Sequence, residues 1–214
     1  MTTSPFIVAG AAAVLLAASA AGQEPRLEAR LDPATYRGVA AVIEQTRARG
    51  LPTEPLVDKA LEGVAKRAPG ELIVGAVARL AERLGAARAA LGPNASLAEV
   101  QAAAEALAVG VPEEALRELR AAVPDAPLAV PLGVLTQLVS RGIAVGRATE
   151  TVLELLRRGA RAPQLIALGQ AVQEDIAQGM APATALDVRL RGVLGTLPSM
   201  ADHVVTSTVP RPPK

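Results

Sequence analysis

The sequence predicts an all-α protein of about nine short helices in antiparallel hairpins, stacked as an irregular α-solenoid-like repeat or closed as a helical bundle. Three observations predict this class. A glycine followed by an apolar residue recurs between helical stretches, at Gly50-Leu51, Gly110-Val111, Gly142-Ile143 and Gly179-Met180. Ile73, Val77, Leu80, Leu84, Ala87 and Leu91 form a stripe at alternating spacings of four and three, with Arg79, Glu82 and Arg83 elsewhere on the wheel. No run alternates apolar and polar residues as a half-buried strand does.

The chain of 214 residues opens with an uncharged run over 6–21, rich in alanine, ahead of Glu24. Ala18-Ser19-Ala20 and Ala20-Ala21-Gly22 both have the small-x-small form that signal peptidase accepts. Residues 1–22 are therefore read as a removed signal peptide, although the segment before the run lacks Lys and Arg. The competing reading is an uncleaved anchor, for which the run is short against a span of roughly 20 apolar residues. Residues 23–31 are read as a short linker, and 32–195 as one all-helical domain with degenerate hairpin repeats.

Within that domain, Asp32-Pro33 starts a helix, with Asp as N-cap and Pro at the first helical position. Gly50 ends it near Arg49, because a residue at this C′ position adopts the left-handed conformation that glycine tolerates. A second helix covers about 53–67 and stops at Pro69-Gly70, and the striped third helix ends at Gly92-Pro93-Asn94. Ser96 caps a fourth, and Glu99 three residues on completes a capping box. Further helices are expected at 112–122, 127–140, 146–158, 162–177 and 182–194. Residues 196–214 mix Pro, Ser and Thr and read as a flexible tail.

The four turns share more than their glycine. Eight residues after each stands an acid: Asp58, Glu118, Glu150 and Asp187. The first and last copies also match at Leu61/Leu190, Gly63/Gly192 and Val64/Val193. An acid in the second helical turn is mildly favoured by the helix dipole. A sharper expectation is that each acid pairs with an arginine of the adjoining helix and orients the hairpin. Strict periodicity fails between Gly50 and Gly110, where an additional helix intervenes.

Candidate interaction chemistry is sparse. Lys59, Glu62 and Lys66 fall at i, i+3 and i+7 and line one helical strip, suited to an anion or to partner docking. Asp175 lies beside the apolar stripe Leu165, Leu168, Val172 and Ile176, where a carboxylate more often pairs with a nearby arginine than serves as an acid/base or a cation ligand. The single histidine, His203, sits with Ser199 and Asp202 in the tail, which offers no rigid scaffold for a triad.

Composition removes several function classes. With no cysteine there is no disulfide, thiolate metal site or thiol nucleophile. A formal net charge of +1, with one Tyr and one Phe in the chain, supplies neither a basic face nor stacking platforms for nucleic acid. No catalytic residue, cofactor or metal site is expected. The function expected is a non-enzymatic, exported helical scaffold, periplasmic or secreted, binding an envelope or secreted protein through a surface of stacked hairpins. The alternative is a periplasmic carrier holding an apolar small molecule or lipid between Ala/Leu-rich helices. Membrane association is expected only if the N-terminal segment stays uncleaved.

Overall fold

The computed structural model describes residues 25–197. The signal-peptide reading of 1–22, the tail from 198 onward and His203 lie outside the described residues. Those described form ten helices and no strand: α1 Pro25–Glu28, α2 Pro33–Ala48, α3 Glu54–Ala65, α4 Gly70–Leu91, α5 Leu97–Ala108, α6 Glu113–Ala122, α7 Ala129–Ser140, α8 Val145–Arg157, α9 Ala162–Ala177 and α10 Pro182–Thr196. Nine of these coincide with the expected helices. The tenth, α1, occupies the stretch read as a linker. Leu27, fully buried, fastens it, and Arg26 donates to both oxygens of Glu54 at 2.9 and 3.1 Å.

Helix starts follow their sequence signals. The Asp32 carboxylate accepts the N–H groups of Ala34 and Thr35 at 3.0 and 3.1 Å, satisfying donors that the first turn of α2 leaves open. At α5 the capping box is reciprocal: Glu99 N–H donates to Ser96 Oγ at 3.2 Å, and Ser96 N–H donates to the Glu99 carboxylate at 2.8 Å.

Helix ends reuse one turn. Gly50 has φ +65°, its N–H donates to the Arg47 carbonyl at 2.9 Å, and Leu51 N–H reaches back to Thr46 at 3.2 Å. This is the Schellman pattern, and Leu51 packs into the core behind it. The same pair of bonds closes α5 at Gly110, α7 at Gly142 and α9 at Gly179. It also closes α8 at Gly159 and α3 at Arg67, where a non-glycine takes φ +54°. The turn thus marks individual helices rather than one hairpin each, and the Arg67 turn falls inside the interval from Gly50 to Gly110. Helices α4 and α6 end differently. Arg88 donates to the Pro93 and Ala95 carbonyls, and Arg120 to those of Pro124 and Ala126.

Packing runs mostly between helices one or two apart in the chain. α2 packs on α4, α4 on α6 and α6 on α8, while α5 packs on α7 and α7 on α9. Consecutive contacts α3–α4, α4–α5, α7–α8 and α9–α10 tie the two rows together. Near-neighbour stacking of this kind is solenoid-like. Leu, Val, Ile and Ala fill one continuous core, and Tyr36 only borders it. Small residues bring helices close: a Cβ on Gly63 of α3 would lie 2.7 Å from Ile73 Cγ1 of α4, and one on Gly38 of α2 would lie 2.9 Å from Val74 Cγ2.

Candidate functional site

Because α4 is 22 residues long, α3 and α5 both pack on it, and an open groove of about 510 Å³ lies between them. Pro55, Asp58, Lys59 and Glu62 of α3 form one wall, and Gln101, Ala104, Glu105 and Ala108 of α5 form the other. The floor is α4, through Leu80, Arg83 and Leu84. Leu80, expected at the centre of the buried stripe, is only partly buried there, whereas Leu84 is fully buried. Arg83, read as lying off the apolar stripe, is partly buried with its Nε covered and without a hydrogen-bond partner among the described residues. Standing three residues after Leu80, it flanks the apolar face, so its position on the wheel did carry that signal.

The strip read from the sequence forms the outer edge of this groove. Lys59 Nζ donates to Glu62 Oε2 at 2.8 Å, and Lys66 Nζ donates to Glu62 Oε1. These two ammonium groups hold the Glu62 carboxyl down at about 2. On its other side lies a smaller depression of about 180 Å³ beside Leu72, which is 63% exposed.

The four recurrent acids do not act alike. Asp187 of α10 accepts from Arg147 of α8 at 2.7 Å, which joins two helices as expected. Glu150 meets the same Arg147 at 3.9 Å, but within its own helix. Asp58 and Glu118 are exposed and make no ion pair among the described residues, so the general expectation of inter-helix pairing fails for three of the four. Each sits in the second turn of its helix.

Asp175 is 5% exposed and is clamped by Arg189 of α10, Nε to Oδ2 at 2.6 Å and Nη2 to Oδ1 at 2.5 Å. The Arg189 hydrogen bonds lower its pKa, which keeps it ionised and closes the α9–α10 pair. Sequence reasoning assigned Glu99 only to capping. It also accepts Leu128 N–H at 2.9 Å and Arg120 Nη2 at 2.5 Å, tying α5 to α6 and to the start of α7. These partners lie 21 and 29 residues away, beyond the reach of any local motif.

A second cleft of about 700 Å³ lies between α7 and α9, lined by Gln137, Gln170 and Gln173 beside Ile166. The described residues hold no group of three or more His, Cys, Asp or Glu placed to bind a metal ion. None of their helices is long and apolar enough to cross a membrane. The fold and the groove together define an all-helical, layered protein with open surface clefts. Neither a protein-family model, nor a curated protein, nor a solved structure matches the chain.

Proposed function

We propose that the chain is a non-enzymatic scaffold, exported to the bacterial envelope, that grips a segment of an envelope or secreted protein in the α3–α4–α5 groove. The observation that carries this reading is the groove itself: an open channel between two helices, with Leu80, Leu84 and Arg83 on its floor and a polar rim. Stacked helices present extended surfaces of this shape, and extended segments bind along them. The carrier reading comes second, because the groove and the α7–α9 cleft, like a third of about 470 Å³ beside Glu99 and Arg120, open to the surface rather than enclosing a ligand. Export rests on the 1–22 segment.

The test is affinity capture of residues 23–214 from envelope extract, with bound protein and lipid both read by mass spectrometry. An Ala108→Trp variant runs in parallel, since Ala108 is exposed on the groove wall and tryptophan fills the channel without entering the core. The expected result is one enriched protein, lost from the Trp variant. Lipid without protein overturns the reading in favour of the carrier. N-terminal sequencing of the exported chain is expected to begin at Ala21 or Gln23; a retained Met1 refutes cleavage.

A further inference from the structure

The charges around the groove are unequally satisfied. Glu62 is engaged by Lys59 and Lys66. Asp58 on one wall and Glu105 on the other make no ion pair among the described residues. Arg83, between them on the floor, makes no hydrogen bond or ion pair among the described residues, and its Nε is shielded from solvent. The comparison within the fold is Arg120, whose Nε is also buried and bare but whose two terminal nitrogens are both engaged, by Glu99 and by loop carbonyls. Arg83 differs at its terminal nitrogens, which are uncovered and without a partner among the described residues, so the guanidinium charge is unmet on the groove side.

We propose that the groove recognises a partner segment bearing one acidic side chain flanked by basic ones. The acid lies on Arg83 and the basic groups face Asp58 and Glu105. This deepens the scaffold reading and rests on it. A planar carboxylate fits the two terminal nitrogens of a guanidinium through two parallel hydrogen bonds, and these are the donors the groove reaches, the Nε being covered. The apolar stems of the segment lie on Leu80 of the floor and Ala108 of the wall. A lone carboxylate meets two uncompensated acids at the rim, whereas a segment with basic flanks neutralises them, so the charge pattern selects a peptide over a simple fatty acid.

The experiment follows the Arg83 Nε–H resonance of the ¹⁵N-labelled chain by NMR. The probe is a short peptide, acetylated and amidated, with one central glutamate between two arginines on an alanine–leucine background. A saturable shift of the Arg83 resonance is expected. Glutamine in place of the peptide glutamate weakens binding about ten- to a hundredfold. Arg83→Gln weakens it similarly, and the two losses are not additive, as direct partners require. Replacing the flanking arginines by glutamates abolishes binding, and Asp58→Lys with Glu105→Lys restores it.

No response at Arg83, or equal affinity for the glutamine peptide, overturns the proposal whether or not Arg83→Gln folds. An equal response to octanoate overturns it in favour of a carrier. If captured protein still binds the Ala108→Trp variant while the peptide fails, this recognition is wrong and the scaffold reading survives. If the peptide binds but capture yields only lipid, the scaffold reading falls.

Discussion

At Glu99, burial by itself pushes the carboxyl pKa up, yet N–H donors from Ser96 and Leu128, the Ser96 hydroxyl and the Arg120 guanidinium hold it at about 2. A folded-state pKa below the ordinary 4.5 adds stability that is complete above the unfolded value and is lost as pH falls toward the folded one. The shift corresponds to about 3 kcal/mol at neutral pH. Urea midpoints are expected to show Glu99→Gln strongly destabilised at pH 7, with the gap to wild type closing between pH 4.5 and 2; a gap independent of pH refutes the linkage. Two leucines four residues apart on α4 diverge as well. Leu84→Ala is expected to cost about 2–5 kcal/mol in chemical denaturation, as buried truncations do. Leu80→Ala, on the groove floor, is expected to cost about 1 kcal/mol or less and to weaken peptide binding instead. Equal losses would place both in the core.

Among the elements, the helix-ending turn and the glycine contacts set the geometry. Arg67 performs the same turn as Gly50 with a side chain that disfavours the left-handed region. Arg67→Gly is expected to raise stability by about 0.5–1 kcal/mol, the relief of that strain less the added freedom of the unfolded chain. A loss would show that the arginine side chain stabilises the turn in a way its backbone does not reveal. Gly63 and Gly192 occupy matching places in the first and last copies of the recurrence, yet their surroundings differ. A Cβ on Gly63 runs into Ile73, which is 4% exposed and held by α4, while one on Gly192 meets nothing within 4 Å. Gly63→Ala is therefore expected to destabilise by about 1–3 kcal/mol through overpacking. Gly192→Ala is expected to stabilise by up to about 1 kcal/mol through helix propensity. Thermal melts of the pair with the same sign would remove the packing distinction.

Over the whole molecule, stacking between near neighbours makes stability local. α10 packs chiefly on α9 and is clamped there by Asp175–Arg189, with the Arg147–Asp187 pair as a second tie to α8. Asp175→Asn is expected to open α10 selectively. Hydrogen exchange should show its amides losing protection while those of α2 and α4, at the far end of the stack, keep theirs. A uniform loss along the chain would mark a cooperative bundle instead of a stack.

Helix existence was legible because capping residues, glycine stops and the 3.6-residue stripe act within a few residues of one another. Asp32, Ser96 and Gly50 each declared an end by local chemistry alone. Even the Lys59–Glu62–Lys66 strip was readable, since i+3 and i+4 neighbours meet on any helix. Partners across the stack were not. Glu99 with Arg120, Asp175 with Arg189 and Asp187 with Arg147 join different helices, and their meeting depends on how those helices pack. The α1 turn escaped detection because four residues carry too little periodicity, and only the burial of Leu27 reveals its anchoring. The sequence by itself determined the helices, their ends and an apolar core without aromatic bulk. The tertiary structure alone decided that α3 and α5 flank α4 as the walls of a groove, with Arg83 unpaired at its floor. Which charges find partners depends on packing between distant segments, and no local pattern encodes it.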